Sequence, residues 1–197
     1  GRFEFAERAA APDLAMAVAE IEREVGALPD GYASEIGFAA RAWMCSAADW
    51  LQHGALLAID YGFPRREYYH PQRSGGTLVC HRKHLVDADP LVDVGDKDIT
   101  AHVNFTGIAL AVQDAGLQVL GYTSQARFLL NLGLAERMAD SPLAERAQAM
   151  RLISEHEMGE LFKVIGFATH MHTHTPMPMP MPMHWQAQGF AAGDRSH

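Results

Sequence analysis

Gly54-Ala-Leu-Leu-Ala-Ile-Asp-Tyr-Gly62 is a short apolar run that ends abruptly in an acid, a phenol and a glycine. Such a run predicts a strand that is buried on both faces, as in a parallel sheet covered by helices. Ligands of open α/β sheets collect beyond the carboxyl ends of the strands. Asp60 and Tyr61 are therefore predicted to lie at a functional edge of the sheet.

Helical and strand-like patterns alternate on either side of this run. Before it, apolar spacing predicts helices over 13–25 and 36–53, the second with a buried stripe made of Trp43, Ala47, Trp50 and Leu51. After it, the pattern predicts a helix over 103–115, a strand over Leu117–Thr123, helices over 124–138 and 142–152, a short helix begun by the capping box Ser154–Glu157, and a strand over Leu161–Ala168. This order predicts an α/β fold with helices against a central sheet.

Three segments stand apart from that pattern. Arg2–Phe5 alternates like a strand, whereas residues 61–98 are rich in aromatic and basic side chains and show little periodicity. A stretch of that length is either functional or an ordered surface excursion. Residues 169–186 form a low-complexity His/Met-Pro loop, read as an insertion between the strands Leu161–Ala168 and Trp185–Ala192. Imidazole and thioether groups suit copper, but composition alone favours an insertion without a metal.

The composition excludes several classes of function. The chain has 197 residues, 48% of them hydrophobic and 20% charged, as in a folded globular protein. A net charge of -8 argues against nucleic acid as a partner and would suit a basic one. Two cysteines, Cys45 and Cys80, provide no disulfide framework and fit a reducing compartment. No run is long enough for a membrane span.

Common catalytic signatures are absent from the sequence. It contains no Walker loop, no Gly-x-Gly-x-x-Gly after a strand and no Gly-x-Ser-x-Gly elbow. Cys80, His81 and His84 lack the paired spacing of a zinc site. Glu35 and Asp98 each precede a predicted helix, where an acid either caps the helix or contacts a ligand.

Several longer motifs of the sequence resemble those of a known protein family. They are Gly54–Gly62, Pro64-Arg65, Glu67-Tyr-Tyr-His-Pro-Gln-Arg73, Gly76-Thr-Leu78, Cys80-His81, Asp89-Pro90, Asp98-Ile-Thr-Ala-His-Val103, Gly121-Tyr-Thr-Ser-Gln-Ala126, Glu157-Met-Gly-Glu-Leu-Phe-Lys-Val164 and Gly189-Phe-Ala-Ala-Gly-Asp-Arg-Ser-His197. In these motifs the chain resembles the MidA-like family of class I S-adenosylmethionine-dependent methyltransferases, which includes the mitochondrial complex I assembly factor that methylates an arginine. Asn104 stands where that family usually has an acid.

The resemblance implies a Rossmann-like class I methyltransferase sheet flanked by helices, of which this chain would be the C-terminal half. Residues 55–60 would be its fifth strand, and residues 117–123 and 161–168 its last two, one of them antiparallel. The main S-adenosylmethionine site would belong to sequence that precedes the region present here. The chain opens at Gly1 without a methionine, and we expect a partial domain that is inactive in isolation.

The candidate site residues follow from chemistry and resemblance together. An acceptor arginine requires carboxylates to hold its guanidinium fork, and Asp60 is the first candidate because it ends the strand. Tyr61 and His102 are predicted as catalytic partners that orient the acceptor or take a proton. The substrate-binding candidates are Glu35, Arg73, Thr77 and Asp98.

The partners and the competing function are also expectations at this point. The predicted substrate is a basic protein, with a respiratory complex I subunit as one example, in a bacterial cytoplasm or a mitochondrial matrix. The competing hypothesis is a non-catalytic assembly factor that binds such a protein or a second copy of itself.

Overall fold

A computed structural model describes residues 2–83, 85–169 and 187–195. The helices are α1 (Pro12–Val25), α2 (Phe38–Trp50), α3 (Arg65–Tyr68), α4 (Phe105–Asp114), α5 (Gln125–Asn131), α6 (Leu134–Ala139) and α7 (Leu143–Ile153), with 3-10 helices at Pro71–Arg73 and Gln188–Phe190. The strands are β1 (Ala55–Phe63), β2 (Val79–Arg82), β3 (Leu85–Asp87), β4 (Asp98–Thr100), β5 (Val103–Asn104), β6 (Leu117–Ser124) and β7 (Phe162–Thr169).

These elements fall into two compact units. Of the described residues, those up to Gly37 and those of Phe63–Asn104 form the first unit, and those of Phe38–Gly62 and from Phe105 onward form the second.

The core of the first unit forms around α1 and α3. Helix α1 begins with a proline in its first turn, and Gly26 follows its last residue with φ of 90°, a conformation that favours glycine. Ile21 on its buried face packs with Tyr68 and Tyr69. In the same unit, β2 lies between β3 and β4 in a small antiparallel sheet.

The second unit is organised by β1, β7 and β6, which lie side by side in that order. Strand β7 runs antiparallel to both of its neighbours. The sheet and its flanking helices confirm the predicted α/β class, and the two predicted late strands are present with β7 reversed. Helix α4 contacts β6, and its Phe105 ring lies 5.2 Å from the ring of Tyr122.

The last described segment closes one face of this sheet. Phe190 is buried and packs over two glycines, Gly121 of β6 and Gly166 of β7. A Cβ at Gly121 would lie 2.4 Å from the Phe190 ring, and one at Gly166 would lie 2.9 Å from it. Glycine is therefore required at both places by the close approach of the aromatic ring.

Three predictions about the strands and loops were wrong. β1 is antiparallel to β7 and is not buried on both faces, because Leu57 and Ile59 are about half exposed. Arg2–Phe5 has no regular structure and is exposed. Residues 61–98 are far from irregular, since they contain α3, a 3-10 helix and the sheet of β2, β3 and β4.

The helix predictions also needed correction. Met44 and Ala48 form the buried face of α2, whereas Trp43 and Trp50 are exposed. The helix predicted over 124–138 is interrupted at Gly133, which has φ of 85°. The short helix predicted to begin at Ser154–Glu157 is a turn. The described part of the predicted strand Trp185–Ala192 contains a 3-10 helix. The His/Met-Pro segment itself, residues 170–186, lies outside the described residues.

Candidate functional site

Asp60 and Tyr61 lie near the end of β1 but project to opposite faces of the sheet. In the register with β7, Asp60 lies opposite Lys163 and Tyr61 lies opposite Phe162. Neighbouring residues of a strand point to opposite sides, and the Tyr61 and Phe162 rings meet edge to face at 5.7 Å. The two predicted catalytic residues therefore do not form a single side-chain pair.

A polar row crosses the sheet on the Asp60 face. Lys163 of β7 lies between Asp60 of β1 and Ser124 of β6 in the strand register. Residues directly opposite each other in antiparallel strands project to the same side with Cβ atoms about 5 Å apart. Asp60 is exposed, whereas Lys163 and Ser124 are buried. Because β6 ends at Ser124 and β1 ends three residues after Asp60, the row lies near the carboxyl edge of these strands.

Glu160 joins this row from the turn that precedes β7. Lys163 donates to its Oε1 at 2.8 Å and also to its backbone carbonyl. Arg195 donates to the same Oε1 at 3.1 Å. Burial alone would raise the pKa of Glu160, but the hydrogen bond and charge of Lys163, together with Arg195, outweigh it and hold that pKa below its ordinary value. Glu160 therefore stays ionised between two cations.

Glu35 forms a different network within the first unit. Its carboxylate accepts from the backbone N–H groups of Thr77 and Leu78, each at 3.1 Å, and from the Thr77 hydroxyl at 3.0 Å. The Tyr68 hydroxyl donates to it at 3.2 Å. Burial is the main cause that raises the pKa of Tyr68 well above its ordinary value, so Tyr68 remains a neutral donor. Through these hydrogen bonds, Glu35 holds the loop that precedes α2 against the turn at residues 76–78.

His102 and Arg73 meet this network through backbone and ring contacts. The backbone N–H of His102 donates to the Thr77 hydroxyl at 3.0 Å. Its imidazole stacks on Phe63 with ring centroids 5.0 Å apart, and the Arg73 guanidinium lies 4.1 Å from the centroid of the same ring. A cation held over an aromatic ring is a stabilising contact. The structure therefore places Glu35, Thr77, Arg73 and His102 together.

Asp98 lies apart from that cluster of contacts, at the start of β4. It is exposed and lies opposite His81 of β2 in the small sheet. Asp60 and Tyr61 belong to the second unit, and the other predicted residues belong to the first. The substrate-binding and catalytic roles of all seven stay predictions.

S-adenosylmethionine needs a cradle of backbone donors and glycines, and two glycine-lined places in the described residues are already filled by the chain's own side chains. The N–H groups that converge after Gly75-Gly76 are occupied by the Glu35 carboxylate. A Cβ on Gly76 would lie 2.3 Å from Glu35 Oε1. The Glu35 carboxylate therefore already fills the space beside this turn, and the carboxylate of a bound cofactor would not fit there as well. The close spaces above Gly121 and Gly166 are filled by Phe190. These glycines serve internal packing.

Two further properties concern metals and membranes. In residues 2–83, 85–169 and 187–195, no group of three or more His, Cys, Asp or Glu side chains is placed to hold a metal ion. Within those same ranges, no helix has both the length and the apolar character to cross a bilayer.

The sequence reasoning assigned no role to Lys163, Glu160 or Arg195. A signal was present, because Lys163 interrupts an otherwise apolar strand and Glu160 precedes it by three residues. A lysine inside a buried strand requires a partner, and an acid three residues earlier was the nearest one. Arg195 could not be placed, since its partner lies 35 residues away in the chain.

A comparison with sequence families indicates one class of enzyme. Residues 1–123 match a sequence family described as "Putative S-adenosyl-L-methionine-dependent methyltransferase". No curated protein matches the chain.

Solved structures of COG1565 superfamily proteins from Burkholderia thailandensis are similar over the whole chain. One native crystal structure is 42% identical with a TM-score of 0.85, and the alignment covers 100% of this chain and 50% of that one. Another, bound to S-adenosyl-homocysteine, is 42% identical with a TM-score of 0.82 and coverages of 100% and 49%. The chain thus spans about half the length of these relatives.

Proposed function

Because the chain belongs to this family of S-adenosyl-L-methionine-dependent methyltransferases, we propose that the protein methylates a side chain of another protein. Arginine is the proposed acceptor. The residues of this chain contribute the acceptor side of the reaction. The relative bound to S-adenosyl-homocysteine, the demethylated product of the cofactor, supports methyl transfer as the chemistry.

One observation carries the proposal of an arginine acceptor: two carboxylates lie on either side of the same lysine. Glu160 is hydrogen-bonded to Lys163, and the exposed Asp60 lies opposite Lys163 in the strand register, with its carboxylate accepting from the Tyr61 N–H at 2.8 Å. Paired carboxylate oxygens suit the planar fork of a guanidinium, which they can bind through parallel hydrogen bonds. A displacement at a methyl carbon depends mainly on alignment of the nucleophile, and such a clamp provides alignment.

The other predicted residues have supporting roles in this proposal. Tyr61 and His102 are the proposed groups that orient the acceptor or take its proton. Arg73 and Asp98 are proposed to contact the polypeptide around the acceptor. Glu35 and Thr77, whatever they contact in a substrate, also hold the 76–78 turn in place.

The proposed partner is a basic protein, which suits the net charge of -8. A respiratory complex I subunit is the example that the MidA-like resemblance suggests. The proposed location is then a bacterial cytoplasm or a mitochondrial matrix.

The experiment is a transfer assay with the protein purified as its own cells make it. The assay supplies S-adenosylmethionine with a labelled methyl group and basic proteins rich in either arginine or lysine. We expect label on arginine, and a loss of about a hundredfold or more in Asp60→Asn. Asp49→Asn, an exposed acid of α2, is the matched control and should retain the wild-type rate. Label on lysine alone, or equal rates in both variants, would refute the arginine assignment.

A second candidate function is non-catalytic protein binding, and the exposed face of α2 favours it. Trp43 and Trp50 lie seven residues apart, on one side of the helix, and are 62% and 78% exposed. Large exposed aromatic residues are typical of interaction sites. Replacing both by alanine should abolish capture of a protein partner or self-association in sedimentation. If partner binding persists in the double variant, this face is not the interaction site.

A further inference from the structure

We propose that Arg195 is an internal occupant of the acceptor-arginine site, where its guanidinium takes the place of the substrate's. This inference rests on the proposed function and deepens it, because it names Glu160 as the second carboxylate of the site and the chain's own C-terminal segment as its competitor. The site comprises Asp60, Glu160 and Lys163 in the second unit.

The contact of Arg195 with Glu160 is a guanidinium bound to a carboxylate at the edge of the sheet. The Nη1–Oε1 distance is 3.1 Å, and the two side chains are 48% and 41% exposed. By contrast, Lys163 is 7% exposed and bonds the same oxygen at 2.8 Å. The lysine is thus a fixed part of the edge, whereas the arginine comes to it from the solvent side.

Glu160 forms ion pairs with two cations, Lys163 and Arg195. Asp60 lies opposite Lys163 in the strand register and adds a second negative charge near the lysine. Removal of Arg195 would leave Lys163 as the one cation paired with Glu160 in this site, and the vacated side of the Glu160 carboxylate could then bind another cation. Because the fork of a guanidinium matches carboxylate oxygens better than an ammonium does, arginine is the favoured replacement.

The Arg195 side chain can leave without releasing the segment that carries it. The backbone N–H of Arg195 donates to the Tyr122 carbonyl at 2.6 Å. The Asp194 carboxylate accepts from the Tyr122 N–H at 2.9 Å, and the Thr123 hydroxyl donates to the Gly193 carbonyl at 2.7 Å. Phe190 is buried over the sheet. The segment therefore remains bound when only the guanidinium swings out.

The test measures binding of a short, otherwise neutral peptide with one arginine, by calorimetry and without cofactor. Arg195→Ala should bind it about tenfold more tightly than wild type, because the competitor is gone. Adding Glu160→Gln to Arg195→Ala should abolish the gain. Arg151→Ala, a control at a 73% exposed arginine, should bind as wild type does. Near-ultraviolet circular dichroism verifies that each variant is folded.

Two results would overturn the inference: unchanged or weaker binding in folded Arg195→Ala, or an equal gain for the same peptide with lysine in place of arginine. Arg195→Lys gives a second check, since it keeps the charge without the fork and should fall between wild type and alanine. The outcomes are separable from those of the proposed function. A protein without transferase activity can still show the arginine-specific gain, and an active enzyme without that gain would contradict only the role of Arg195.

Discussion

Thr77 donates two hydrogen bonds to the Glu35 carboxylate, one from its backbone N–H at 3.1 Å and one from its hydroxyl at 3.0 Å. The two residues are 42 positions apart in sequence. Thr77 is buried, so loss of the acceptor would leave its N–H without compensation. The pair therefore connects two loops of the first unit.

Glu35→Ala should lower the free energy of unfolding by about 2–4 kcal/mol, because buried donors would lose their acceptor. Urea denaturation followed by circular dichroism measures this. Glu7→Ala removes an exposed acid from the irregular N-terminal segment and should be neutral. Equal midpoints for the two variants would mean that the Glu35 network contributes nothing to stability.

Gly76→Ala should destabilise the same turn by about 1–3 kcal/mol. Gly76 has φ of 78°, and its added Cβ would lie 2.3 Å from Glu35 Oε1. The neighbouring Gly75 provides a matched control, since a Cβ there meets nothing within 4 Å. Thermal melting should separate the two variants clearly. A Gly75→Ala protein as unstable as Gly76→Ala would argue against the described turn.

Phe190→Ala should cost about 3–5 kcal/mol, the usual range for truncating a buried aromatic side chain. The ring fills the space above Gly121 and Gly166, so its loss opens a cavity on the sheet. Phe3→Ala is the control, because Phe3 is 63% exposed. Chemical denaturation measures both, and a cost below about 1 kcal/mol for Phe190→Ala would contradict the packing.

Stability should depend on the ionisation of Glu160. Its pKa in the folded chain is held below the ordinary value, so the carboxylate contributes stability above its unfolded pKa, about 4.3. That contribution disappears as the pH falls through the lowered folded value. The gap in melting temperature between wild type and Glu160→Gln should therefore be present at neutral pH and vanish in strong acid. A gap that is independent of pH would show that the ion pairs are not its source.

Local patterns in the sequence predicted much of the fold. The apolar run that became β1, the strands β6 and β7 and helix α1 were predictable because their periodicity reports burial directly. The face of α2 was not, because Trp43 and Trp50 are the largest apolar side chains of the helix and yet lie on the exposed side. The hydrophobicity of a helix face does not by itself predict whether another element of the fold packs against that face.

The candidate site was predictable only in part. Asp60 could be found because it ends an apolar run in the sequence, and Glu35 because it precedes a helix. That Glu35 would bind Thr77 rather than cap α2 depends on a tertiary contact with no local signal. The opposite orientations of Asp60 and Tyr61 follow from the strand extending beyond them to Phe63, where the sequence suggested a strand that had already ended.

The most direct test of the central claim, methylation of a protein arginine that depends on Asp60, is made in the organism that produces the protein. Asp60→Asn and the control Asp49→Asn are introduced at the native locus, and methylated arginines in the cell extract are compared by mass spectrometry. The account predicts that at least one methylarginine site is lost in Asp60→Asn and retained in Asp49→Asn. A methylarginine profile identical to wild type in Asp60→Asn cells would contradict it.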